Sequence, residues 1–115
     1  MAYTLYGIKA CDTMKKARTW LDEKQVDYAF HDYKASGIDR GHLTQWCNEH
    51  GWQVVLNRAG TTFRKLEDAQ KADLDQDKAI ELMLAQPSMI KRPVLDLGNK
   101  TLIGFKPDIY AAAVQ

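Results

Sequence analysis

The chain has 115 residues, with 16 Lys and Arg against 15 Asp and Glu for a formal charge of +1, and it is 45% hydrophobic and 27% charged. That balance fits one water-soluble globular domain, and the near-neutral charge gives no electrostatic case for nucleic acid or an acidic membrane surface. No apolar stretch approaches the ~18 residues of a transmembrane span, and the N-terminal MAYTLYGIKAC lacks a basic segment leading into an apolar one, so a cytoplasmic protein is expected.

Residues 3–8 (YTLYGI) are aromatic and β-branched and read as a strand. From Asp12 the period changes: Met14, Ala17, Trp20 and Leu21 recur at three- and four-residue spacings, predicting an amphipathic helix to about Lys24. Asp12 or Thr13 is the expected cap. Residues 27–33 (DYAFHDY) form a second strand, so the first thirty residues make a βαβ unit with parallel strands.

Ala35-Ser36-Gly37 breaks the pattern, and residues 39–50 read as a helix with Leu43, Trp46 and Cys47 on one face. Residues 53–58 (QVVLNR) are ambiguous between strand and helix. AGTTFRKLEDA opens on a turn residue and a threonine cap, Asp75 opens a helix carrying Ile80, Met83 and Leu84, and Pro87 stops it. Residues from about 36 to 87 therefore read as a helical insertion within a single domain spanning 1–115. Gly98-Asn99 between apolar runs predicts a hairpin of residues 94–97 and 100–104, and Pro107-Asp108 starts a closing helix. The expected architecture is α/β, a four-stranded mixed sheet with helices inserted between its two halves.

Cys11 stands where the strand ends and the helix begins. A cysteine there can be a small buried hydrophobe. The helix N-terminus, however, offers unpaired backbone N–H groups and a partial positive charge, which stabilise a thiolate and lower the thiol pKa. Lys15 and Lys16 carry the wrong sign for a first turn, and an anion beside them relieves that repulsion. Position 14 is Met, so no Cys-x-x-Cys pair exists. Cys47 lies mid-helix beside Trp46, where a packed, inert thiol is expected. Cys11 would then act as a monothiol resolved by an external thiol.

Arg58, Arg64 and Arg92 lie near turns or element boundaries, and Lys106 precedes Pro107. Arginine suits oxyanions and carboxylates through its planar fork, although any one of these can be a plain surface cation. Arg92-Pro93 at the start of a strand is a candidate cis bond. His31, His42 and His50 share no metal-ligand spacing, Cys47 and His50 alone make no zinc site, and no Ca²⁺ loop or phosphate loop is present, so no metal is expected.

Together, YGIKACDTMKKARTWL, FHDYK, LNRAGTTFRKL, LMLAQPSMIKRPVL and GFKP resemble the arsenate reductase (ArsC)/Spx/YffB family over nearly the whole chain, the YffB-like branch most closely. The resemblance implies a thioredoxin-like fold with an inserted helical subdomain. It implies Cys11 as the nucleophile at the tip of the first helix, facing a cis-proline at Pro93. Arsenate reductases of this kind surround the oxyanion with three arginines and regenerate with glutathione and glutaredoxin. Arg92 matches one of the three, Arg58 corresponds to the second by a one-residue shift, and the third position is Lys106, so the triad is incomplete. Spx-like members bind RNA polymerase and carry a Cys-x-x-Cys switch whose second position is Met14 here.

The reading drawn from both lines is a glutathione-dependent thiol reductase acting on a small oxidised thiol or oxyanion. Cys11 and Arg92 are its catalytic residues, and Lys15, Arg58, Arg64, Pro93 and Lys106 bind substrate. Glutathione serves as co-substrate, glutaredoxin as a partner, and the protein is expected to be a monomer. Glutaredoxin-coupled arsenate reduction is the alternative activity, and an Spx-like regulator binding RNA polymerase the non-enzymatic one.

Overall fold

A computed structural model of the protein describes residues 3–9 and 11–114. The chain divides into two compact units, one running up to Ser36 and resuming at Arg92, the other from Gly37 to Lys91.

The first unit opens with strand β1 (Tyr3–Gly7), helix α1 (Asp12–Glu23) and strand β2 (Tyr28–Asp32). β1 and β2 are parallel, in the register Tyr3 to Tyr28 through Gly7 to Asp32. The amphipathic period of α1 puts Met14, Ala17 and Leu21 on its fully buried face. The helix starts one residue earlier than the sequence suggests. Cys11, extended at φ −126° and ψ 132°, is the N-cap, and its carbonyl accepts from the Lys15 N–H at 3.0 Å. Asp12 and Thr13 are already helical, so neither is the cap. The second strand also stops early. The Asp32 carboxylate accepts from the Lys34 backbone N–H at 2.8 Å, and the turn it closes becomes the one-turn helix α2 (Tyr33–Ser36). Gly37 follows at φ 70°.

The second unit is helical. α3 (Arg40–His50) is capped by Asp39, whose side chain accepts from the His42 N–H, and it buries Leu43, Trp46 and Cys47. The ambiguous residues resolve into a single turn, α4 (Trp52–Val55), after which Leu56 is extended and bridges Ile90 antiparallel. Short helices α5 (Thr61–Arg64) and α6 (Asp68–Lys71) follow. Gly60, not a threonine, is the N-cap of α5, because Thr61 already has helical backbone. α7 (Gln76–Ala85) is capped by Asp75 accepting from Lys78 N–H, and it buries Ala79, Ile80 and Met83. A 3₁₀ turn at Pro87–Met89 ends it. The unit's last residues are tied down by hydrogen bonds from Asn57 N–H to the Met89 carbonyl (2.7 Å) and from Lys91 N–H to the Val55 carbonyl (2.8 Å).

The chain then returns to the first unit as β3 (Val94–Asp96), β4 (Thr101–Ile103) and α8 (Pro107–Ala113). The sheet order is β2-β1-β3-β4, with β3 antiparallel to both β1 and β4. The hairpin turn sits at Gly98-Asn99, with Gly98 at φ 96° and Leu97 N–H donating to the Lys100 carbonyl. Both strands are shorter by a residue or two than their apolar runs. Leu5 and Leu95, paired in register, pack with Met14, Ala17, Leu21, Leu97 and Tyr110 into the core of this unit. Each fully buried leucine there contributes about 1.5–3 kcal/mol over an exposed one.

Candidate active site

Strand register gathers the candidate residues at one end of the sheet. Gly7 pairs with Asp32, Tyr6 with Val94, and Val94 with Ile103. The chain leaving β1 toward Cys11, the chain leaving β2 at Tyr33, the Arg92-Pro93 entry to β3, and the segment from Gly104 to Lys106 after β4 therefore share that end. The Arg92-Pro93 bond is cis and Pro93 is buried. The Pro93 carbonyl accepts from Gly104 N–H at 2.8 Å, and the Tyr110 hydroxyl donates to the Gly104 carbonyl at 3.0 Å. These bonds join the proline loop to the start of α8.

Cys11 is half-buried, and its sulfur makes no formal side-chain cap on α1. Several groups nonetheless act on it. Partial burial raises the thiol pKa. Against that, the Met14 backbone N–H, a hydrogen bond from the Arg92 side chain, the Thr13 N–H and the Arg92 charge all lower it, and the net pKa lies below that of an ordinary thiol. The two N–H groups are orphan donors of the helix start, aimed at the sulfur because Cys11 occupies the cap. Arg92, 81 positions along the chain, adds the positive charge. Cys47 has the opposite environment: it is 2% exposed, and burial pushes its thiol pKa up.

Lys15 is exposed on the first turn of α1, with its N–H bonded to the Cys11 carbonyl. Lys106 is exposed and is the N-cap of α8. Arg58 and Arg64 belong to the helical unit. There the Arg58 guanidinium lies over the Trp52 ring, 5.7 Å from its centroid, and Arg64 is exposed at the end of α5 with its carbonyl accepting from Lys71 Nζ. The structure thus puts Cys11 and Arg92 in contact, with Pro93, Lys15 and Lys106 at the same end of their unit.

One neighbour of the site carried no motif in the sequence. Tyr33 is 1% exposed, its ring stacks with Tyr6 at 6.4 Å, and its hydroxyl has no hydrogen-bond partner among the described residues. Burial and Tyr6 push its pKa upward while Arg92 pulls it back, so the phenol stays neutral beside the guanidinium. In the sequence Tyr33 is only the last residue of the 27–33 run read as a strand, with nothing to tie it to Cys11.

A thioredoxin-like α/β protein with a single cysteine at the N-cap of its first helix and an arginine preceding a cis-proline is the class these features define. The sequence model of the ArsC family matches residues 6–113, and the chain belongs to that family. A solved YffB protein is 80% identical, with a TM-score of 0.97 over 98% of this chain and 99% of its own. An arsenate reductase (ArsC) related protein from Brucella melitensis is 54% identical, with a TM-score of 0.79 over 97% and 93%. The global transcriptional regulator Spx of Streptococcus pyogenes serotype M3 is 29% identical over 107 residues, which are 91% of this chain and 79% of the regulator. Among the described residues no helix is long and apolar enough to cross a membrane.

Proposed function

We propose that the protein is a cytoplasmic, glutathione-dependent thiol reductase in which Cys11 is the sole nucleophile. The observation that carries this reading is the Cys11 thiol held below its ordinary pKa by Met14 N–H, Arg92 and Thr13 N–H against the opposing effect of burial. The thiolate attacks one sulfur of an oxidised substrate, forming a mixed disulfide with Cys11 while the other sulfur leaves as a thiolate. A glutathione thiolate then attacks the Cys11 sulfur of the mixed disulfide, releasing the reduced substrate as a thiolate and leaving glutathione on Cys11. A second glutathione, or glutaredoxin, attacks the glutathione sulfur of that adduct, taking the glutathione into a new disulfide and restoring the Cys11 thiolate. Arg92 stabilises the thiolate before attack and holds an anionic substrate group, while Lys15 and Lys106, at the same end of their unit, bind carboxylates of glutathione or substrate and Pro93 shapes the wall facing the sulfur.

Reduction of arsenate through the same cysteine and arginine is the second reading, favoured by the Brucella relative's description as arsenate reductase related. Lys106 at the third arginine position ranks it below the first. The test is reduction of a small disulfide with glutathione as electron donor, with mass spectrometry of the trapped protein. Turnover and a glutathione adduct on Cys11, both absent from Cys11→Ser, are expected. A wild-type protein inert to glutathione and arsenate alike would refute both enzymatic readings and favour a regulatory role of the kind its Spx relative's name describes.

A further inference from the structure

A groove of about 380 Å³ runs along α1 within the first unit, away from Cys11. Lys15 and Lys16 line its near end, Trp20, Phe105 and Pro107 its apolar middle, and Glu23 its far end. Lys16, Trp20 and Glu23 fall at i, i+4 and i+7, so they form one ridge of the helix. The rings of the aromatic wall already pack on one another. Trp20 meets Phe105 edge-on at 6.4 Å and Tyr110 at 5.7 Å, and Phe105 meets Tyr110 at 4.9 Å. A guest laid against that wall does not have to order it first, which removes one cost of binding. Both lysines and Glu23 are exposed.

The polarity of the groove selects its occupant. It is cationic next to the cysteine and apolar beyond, and the one acidic side chain lining it, Glu23, stands at the end, with the Lys24 ammonium over the Trp20 ring 5.9 Å from its centroid. At 1.5 Å rise per residue, the lysines lie roughly 6–8 Å along α1 from Cys11, Trp20 about 13 Å and Glu23 about 18 Å. An extended peptide covers those spans in about two, four and five residues. We propose that this groove binds the segment following the cysteine in a partner polypeptide, with an acidic residue two positions after that cysteine, an apolar residue four after and a basic one five after. The proposal rests on the reading of Cys11 as nucleophile and makes the substrate a protein or peptide disulfide. Cys11 thiolate attacks the partner's cysteine sulfur, the Cys11–partner disulfide forms, and the other sulfur departs as a thiolate, so the disulfide is exchanged and no outside oxidant is needed.

Two blocked hexapeptides of identical composition test it, Cys-Gly-Glu-Gly-Leu-Lys and Cys-Gly-Lys-Gly-Leu-Glu, each as the mixed disulfide with thionitrobenzoate. Attack by Cys11 on the peptide sulfur releases the coloured thiolate and reports the rate. The first peptide should react about five- to tenfold faster at low salt, an advantage that shrinks at high salt because the charges are exposed. The charge-swapped variant Lys16→Glu/Glu23→Lys should lower or reverse that ratio, and a Leu-to-Ser version of the first peptide should react more slowly with the wild type. Equal rates for the two peptides, in a protein whose Cys11 still reacts with glutathione disulfide, would overturn the groove proposal and leave the nucleophile reading standing. Inertness of Cys11 to the peptides and to glutathione disulfide would overturn both.

Discussion

Gly7→Ala is the substitution that most directly connects packing to the reactive thiol. Gly7 is the last residue of β1, and a methyl group there would run into Met14 Sδ and lie 2.6 Å from Met14 Cε, where ordinary contact begins at 3.4 Å. A thioether on the surface would swing aside. Met14 is fully buried with Leu5, Ala17 and Leu21 in the same cluster, so it cannot swing out into solvent. Either its rotamer or the first turn of α1 must shift, an overpacking cost of about 1–3 kcal/mol. Because the Met14 N–H is the leading group that lowers the Cys11 pKa, a displaced turn should also raise it. Urea unfolding measures the first effect and the pH dependence of Cys11 alkylation the second. Met14→Ala alone should cost about 2–5 kcal/mol as a buried truncation. The double variant should be less destabilised than the two costs added, because the methyl then fills part of the vacated space. Strict additivity, or a Gly7→Ala protein with wild-type stability and an unchanged alkylation profile, would refute the claim that this contact positions the turn.

Cys11 should be alkylated with a midpoint below the ordinary thiol value of 9.0, while Cys47 stays protected until the chain unfolds. Because the folded state lowers the Cys11 pKa, the unfolded chain binds the extra proton between the two values. Wild-type stability relative to Cys11→Ser should therefore rise as pH climbs from the folded pKa toward 9.0 and be lost as pH falls through the folded pKa, as urea midpoints on the two proteins would show. Arg92→Ala should slow Cys11 alkylation at neutral pH by the loss of a charged hydrogen bond worth about 1.5–3 kcal/mol. Arg92→Lys should recover only part of that rate, since a point charge lacks the guanidinium fork, and equal rates in all three proteins would remove Arg92 from the site. Lys106→Arg should raise a low native rate of arsenate reduction while leaving the glutathione adduct on Cys11 intact. Robust native arsenate turnover that drops on this substitution would reverse the order of the two enzymatic readings.

Local pattern made the elements of the first unit readable because their signals are short-range. The switch from strand to helix period at residues 8–12, the helix spacing of Met14, Ala17 and Leu21, and the Gly98-Asn99 turn each depend on neighbours within a few positions. The same locality explains the misplaced caps. Whether Cys11 or Asp12 adopts the extended cap conformation, and whether Thr61 is a cap or the first helical residue, turns on backbone dihedrals that the residue types alone leave open. QVVLNR could not be resolved from sequence for a related reason. Its apolar run satisfies either period, and the choice came from the Leu56–Ile90 bridge, a pairing across 34 positions.

The sequence by itself therefore determined that a lone cysteine would sit at a helix start, that the sheet would be mixed with a parallel N-terminal pair, and that Cys47 would be a packed core thiol. Tertiary structure alone decided what surrounds the sulfur. The contact between Cys11 and Arg92 requires β3 to run antiparallel beside β1 with Tyr6 opposite Val94, so that the strand's entry meets the first strand's exit. Tyr33 and Lys106 come to the same end of the sheet through the register of β2 and β4. A thiol's acidity depends on charges and dipoles within a few ångströms, and which groups lie that close is a property of strand register, to which spacing along the chain gives no access.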